Sequence, residues 1–423
     1  MTITINNKNK KTNVPNSTDK GNAIRNLPNL RFPEFREEWE EHELSEYLDF
    51  KNGLNPKPNQ FGKGIKFISV MDILNNAVIT YDCIRASVSV SEEDMSAFSV
   101  QKGDILFQRS SETLEDVGRA NVYVDDIPAV FGGFVIRGKQ KTNYNPLFFK
   151  YLLSSPLARK RIIRMGAGAQ HFNIGQEGLS KVKLPFACID EQNKIAKILY
   201  LLDKRISLQN KIIDKLQTLI KGIMASCQNS GLKNNTWGKI SLCDVLTERK
   251  ELNKQLHPVF SVSVSQGVIN QIEYLGRSFA AKDTSKYNVV HYGDIIYTKS
   301  PTGDFPYGIV KQNYNQEEVA VSPLYGVYAP KTYSIGVFLH EYFKSNVNTY
   351  NYLHPLIQKG AKNTINITNQ HFLENKVAMP FNDDELESIS KLLLSLNAKV
   401  VLMQHIKGNY EQQKQYLLRQ MFI

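Results

Sequence analysis

Five polar side chains, Gln108, Arg109, Ser110, Ser111 and Arg119, fall close together in FQRSSETLEDVGRANVY (107–123), and Thr298, Lys299, Ser300 and Thr302 fall together in YTKSPTGDFPYGIVK (297–311). Amides, hydroxyls and cations of this kind can read base edges in a duplex groove and hold the flanking phosphates. A second pair of polar stretches supplies Gln170, His171 and Asn173 on one side, and Lys359, Lys362, Asn363, Thr364 and Asn366 on the other. Gly166, Gly168 and Gly360 accompany them, and a residue without Cβ lets the backbone come close to a phosphate. For any single residue a solvated connection fits as well as a nucleic-acid contact. Two such stretches in matching places favour contact for the regions as a whole.

Other chemistries find little support. There is no G-x-x-x-x-G-K-[ST] phosphate cradle, no H-E-x-x-H and no G-x-S-x-G. NPLFF (145–149) departs from the N-P-P-[YF] element of adenine methyltransferases at Leu147 and reads instead as a helix start with Pro146 in the first turn. GAG (166–168) lacks the third glycine of a dinucleotide loop. The eight histidines form no cluster in sequence, and the four cysteines (Cys83, Cys188, Cys227, Cys243) form neither a C-x-x-C pair nor a zinc-ligand spacing. A reducing, cytoplasmic location fits that usage. No apolar run approaches the roughly 20 residues of a membrane span. The formal charge of +11 points toward a polyanionic partner.

The elements that must position these residues occur twice. A chain of 423 residues exceeds one compact core. WEEHELSEYLDFKNG begins at Trp39 and WGKISLCDVLTERK at Trp237, the only two tryptophans. KGDILFQRS (102–110) returns as YGDIIYTKS (292–300), a Gly-Asp turn feeding an apolar strand. AVFGGFVIRG (129–138) matches AVSPLYGVYAP (320–330), and FFKYLLSS (148–155) matches FLHEYFKS (338–345) as a short amphipathic helix. Each half then runs through its Gly-Ala loop to a strand stopped by Pro-Phe, and on into a long helix, 190–228 and 384–422.

With Ile195 as heptad position a, the first helix places Ile195, Leu202, Gln209, Leu216 and Ile223 at a, and Ile198, Arg205, Ile212 and Leu219 at d. The second places Ile389, Leu396, Met403, Tyr410 and Leu417 at a, and Leu392, Lys399, Ile406 and Gln413 at d. Mostly apolar a and d positions predict a coiled-coil seam. Matched seams are best satisfied by each other, which predicts two long antiparallel helices, with Leu201, Leu208, Leu394 and Leu402 either facing partner subunits or packing within the pair. The fold class is therefore α+β: two similar globular domains separated by the helices, as an internal repeat with approximate twofold symmetry. The expected divisions are a disordered basic tail (1–28), a first domain (29–187), a first helix (188–230), a second domain (231–381) and a second helix (382–423).

This repeated order, with the lead-in LRFPEF (30–35), resembles the specificity subunit of type I restriction-modification systems over residues 30–423. The resemblance implies two target-recognition domains, each reading one half of a bipartite, asymmetric double-stranded DNA sequence, and a spacer that docks two methyltransferase subunits. Restriction subunits complete the assembly. It also implies that the chain is not itself an enzyme and binds no cofactor, since S-adenosylmethionine, ATP and magnesium serve the partner subunits. Gln108 to Ser111 and Gln170 to Asn173 would belong to the first reading surface, and Lys299, Ser300, Lys362 and Asn366 to the second. A stand-alone coiled-coil DNA-binding or adaptor scaffold without restriction-modification partners is the alternative, and a self-contained modification enzyme a third.

Overall fold

A computed structural model describes residues 26–359 and 365–423, together with the short segment Thr4–Ile5, which pairs with Leu30–Arg31. Most of the tail expected at 1–28 lies outside the described residues. The chain forms two compact units, one made of 1–211 with 405–423 and the other of 212–404.

In the first unit a four-stranded antiparallel sheet contains β1 (Leu48–Asn52), β2 (Ile105–Gln108), β3 (Ala120–Val122) and β4 (Val135–Gln140), in spatial order β3-β2-β4-β1. Ile105 and Phe107 enter one core while Leu106 enters another on the opposite face. A strand buried on both faces reads as a continuous apolar run. The Gly-Asp phrase is a tight turn before β2. Gly103 takes φ +96°, and the Asp104 carboxylate accepts the Gln101 N–H at 2.9 Å.

The second unit repeats this order. Its sheet contains β5 (Leu246–Glu248), β6 (Ile295–Tyr297), β7 (Val310–Gln312) and β8 (Gly326–Pro330), arranged β7-β6-β8-β5. Gly293 has φ +89° and Asp294 accepts the His291 N–H at 2.8 Å. The sequence repeat is therefore a repeat of topology and of turn chemistry.

Helices α1 (Pro146–Leu153) and α2 (Pro156–Ile163) follow β4. The Asn145 side chain accepts the Phe148 N–H at 3.0 Å with Pro146 in the first turn, so NPLFF is a capped helix start. The short helix expected to be amphipathic is buried on every side from Phe148 to Leu153. It shares the core with Ile105 and Phe107 of the sheet and with the long helix α3 (Ile189–Lys233), which covers its outer face. In the second unit α4 (Tyr333–Tyr342) and α5 (Asn346–Leu353) take the equivalent places, and the long helix α6 (Asp383–Gln420) follows the last strand.

Within the first unit the early part of α3 packs against the end of α6: Ile195, Leu199 and Leu202 share a core with Leu417, Met421 and Phe422. Asp203 lies 2.5 Å from Lys414, and the Arg205 guanidinium sits over the Tyr410 ring. Within the second unit the late part of α3, with Ile213, Ile220 and Met224, shares a core with Leu386, Leu393 and Val400 at the start of α6. The helices thus meet in opposite chain order, as expected.

The heptad phase, however, differs from the expectation. Position a is inside, but the other seam position is e: Leu199, Ile213, Ile220, Leu393 and Val400 are buried, whereas Leu219 and Leu392 at d are 49% and 47% exposed. A 3-4 spacing can be phased two ways from Ile195, and burial of a cation decides between them. The a/d phase would bury Arg205 and Lys399, and the a/e phase leaves both in solvent.

Each long helix is tied to its domain through the first turn. Glu191 accepts the Trp39 indole N–H at 3.0 Å and a bidentate pair from Arg31 at 2.7 Å, all of it buried. Glu385 accepts the Trp237 indole N–H at 2.7 Å. Further along, buried Asp203 accepts from Tyr151 and Lys150, and burial lowers the Lys150 pKa to about 8 against the pull of Asp203. Asn397 on α6 makes the comparable tie to Glu341 and Lys344.

Candidate nucleic-acid interface

In the first unit the polar loop leaves the end of β2 and returns at β3. Gln108 is buried rather than presented: its amide Nε2 donates to the Ser110 carbonyl at 2.9 Å, and Oε1 has no hydrogen-bond partner among the described residues. It braces the loop from below. Arg109 joins three segments. Its backbone N–H donates to the Phe134 carbonyl at 2.9 Å, its carbonyl accepts the Ile174 N–H at 3.0 Å, and its guanidinium donates to the Gly133 carbonyl at 3.2 Å.

The Gly-Ala loop reaches the same place. Ala167 and Asn173 exchange backbone hydrogen bonds at 2.9 Å, closing a hairpin over 168–172, and Phe172 and Asn173 pair antiparallel with Ser111 and Ser110. Gly168 has φ +142°, and a Cβ there would lie 2.0 Å from the His171 carbonyl oxygen, so only glycine closes this hairpin. Ser110 donates to Asn173 Oδ1 at 2.5 Å, and Gln170 and His171 are exposed at the tip. Ser111 accepts the Thr113 N–H, and exposed Arg119 pairs with Asp116 at 2.6 Å.

Gln108, Arg109, Ser110, Ser111, Gln170, His171 and Asn173 therefore form one cluster. Arg119 is attached to it through the backbone, its carbonyl accepting the Gln108 N–H at 2.7 Å. Sequence reasoning missed Arg159 of α2, which supports the loop by donating to the carbonyls of Glu115 and Val117. Burial, with Arg119 nearby, lowers the Arg159 pKa to about 10. Nothing local in the sequence marks it. Phe134 was also missed, although the adjacent glycines Gly132 and Gly133 mark a turn.

In the second unit the corresponding loop runs from β6 to β7. Lys299 adopts φ +58°, unusual for a residue with a side chain, and is half-buried. Burial lowers its pKa, with Glu248 opposing. Ser300 is exposed, and its carbonyl accepts the Thr302 hydroxyl at 3.2 Å. Thr302 and Phe305 exchange backbone hydrogen bonds at 3.0 Å around Gly303. Lys359 and Asn366 lie on paired strands, Gln358–Lys359 against Ile365–Asn366. Lys362 and Asn363 lie outside the described residues.

Among the described residues no group of three or more His, Cys, Asp or Glu side chains is placed to hold a metal ion, and no helix is long and apolar enough to cross a membrane. The arrangement offers hydrogen-bond donors and acceptors on braced loops, suited to recognition.

Residues 36–218 match a family model described as the type I restriction modification DNA specificity domain. A protein of Methanocaldococcus jannaschii described as a type I restriction enzyme MjaX specificity subunit is 27% identical over 212 residues, covering 49% of each chain. The match thus spans about half the length of that curated relative. The crystal structure of a type I restriction-modification system S subunit from M. genitalium superposes with a TM-score of 0.62, covering 94% of this chain and 99% of that one at 13% identity, a likeness of fold.

Proposed function

We propose that the chain, whose residues 36–218 match the type I restriction modification DNA specificity domain, is the non-catalytic specificity subunit of such a system. It reads a bipartite, asymmetric duplex target and directs adenine methylation, or cleavage, by partner subunits. The observation that carries this reading is the repeated frame: in both units a polar loop leaves the second strand of the same four-stranded sheet, behind the same Gly-Asp turn. Similar frames bearing different side chains, Arg109 to Ser111 against Lys299 and Ser300, suit the reading of two different half-sites. Half-sites about 10 bp apart centre to centre follow for two readers on one face of a duplex.

The partners are two methyltransferase subunits and, in the complete assembly, restriction subunits. S-adenosylmethionine, ATP and magnesium belong to those subunits, and the complex works in the cytoplasm. The test is to map modified adenines in a host that expresses this chain with its methyltransferase partner. An interrupted, asymmetric motif is expected. A short continuous palindrome contradicts the reading.

A further inference from the structure

The turn between Ala129–Phe131 and β4 ends in Phe134, which is 68% exposed. In the second unit the turn between Val319–Val321 and β8 carries Leu324, 71% exposed. Sheet register makes these two residues equivalent: Phe107 pairs with Ile136 and Tyr297 with Gly326, so Phe134 and Leu324 each stand two residues before the matching pair. A single exposed apolar side chain is ordinary, but one continuous with a larger apolar surface marks a contact site. What lies beside Phe134 indicates the cover. The Phe134 carbonyl accepts the N–H of Arg109, and Phe134 lines an apolar cleft of about 430 Å³ together with Met71, Phe61 and Ser110. The exposed ring is thus continuous with the polar loop assigned to base reading.

Around this point the polar residues differ between the two units, as different half-sites require, while the turn keeps an apolar residue in both. A feature common to both readers serves a role independent of base identity. We propose that Phe134 and Leu324 are wedges that press against a base step of the duplex, one in each half-site, and partly unstack it. Phe and Leu are among the residues that act in this way on duplex DNA. The proposal rests on the DNA-reading function above.

The test uses the full chain assembled with its methyltransferase subunits, on duplexes that carry its mapped target with 2-aminopurine placed at successive positions through each half-site. The wild-type complex is expected to raise 2-aminopurine emission several-fold at one step per half-site. Phe134→Ala should abolish the rise in one half-site only, with affinity reduced on the order of tenfold, and Leu324→Ala should do so in the other. Phe134→Leu should keep the signal. Both positions are exposed turn residues, and gel filtration of the variant complexes checks assembly. A wild-type complex that selects its target without any emission change overturns the wedge but leaves the reading function standing. Failure to select any duplex overturns the reading function and the wedge with it. Loss of methyltransferase assembly in Phe134→Ala overturns the wedge and assigns the residue to a protein interface.

Discussion

The indole N–H of Trp39 donates to the carboxylate of Glu191, in the first turn of α3. Trp237 makes the same bond to Glu385, in the first turn of α6. Each bond fastens the start of a long helix to the tryptophan-bearing segment near the start of its domain, which explains why the two tryptophans sit at equivalent places. The pairs are not energetically equal, because Glu191 also neutralises buried Arg31.

Glu191→Ala leaves the Arg31 guanidinium buried and unpaired, and should destabilise the chain by about 3–5 kcal/mol. Glu385→Ala strands only an indole N–H and should cost about 1–3 kcal/mol. Denaturant unfolding of the two variants checks the ranking.

Leu393 is fully buried in the a/e seam and Leu392, beside it, is half in solvent. Leu393→Ala should cost about 2–5 kcal/mol, and Leu392→Ala, measured without partner subunits, within about 0.5 kcal/mol of zero. Equal costs would restore the a/d phase.

Acid should weaken the second unit before carboxylates titrate. Buried His340 accepts the Gln312 N–H through Nδ1, and burial, with Lys344 and Lys311 nearby, holds its pKa well below 6.5. The unfolded chain therefore binds the proton first, so stability is retained above pH 6.5 and falls below it, by at most about 1.4 kcal/mol per pH unit for one group. Unfolding measured between pH 7.5 and 5 should show this slope, and His340→Gln should flatten it.

Much of this was legible because it rests on local chemistry. The Gly-Asp phrases marked turns that need positive φ at Gly103 and Gly293, and they proved to be the same turn twice. The helix phase was less legible, since the a and d count weighed apolar residues and not the cost of burying Arg205. Gln108 looked like a reader by residue type and is placed as a brace, because β2 is buried on both faces through to its last residue, which residue type alone does not reveal. Arg159 could not be seen at all: its contacts lie more than 40 positions away in the chain.

Arg109 should affect both stability and recognition, because its guanidinium ties the loop to the turn at Gly133. Arg109→Ala is expected to lower the melting temperature by a few degrees, roughly 1 kcal/mol of stability, as well as DNA affinity. Gln170→Ala, at an exposed hairpin tip, should lower affinity at an unchanged melting temperature. Calorimetry and DNA titration of both variants separate bracing from reading.

Separate reading of the two half-sites by the two units is tested by modified-adenine maps from hosts carrying the wild-type chain and the triple variant Ser111→Ala, Gln170→Ala, His171→Ala, each with the methyltransferase partner. One half of the motif should lose base preference while the other stays unchanged. Equal relaxation of both halves, or an unaltered motif, would contradict separate reading by the two units.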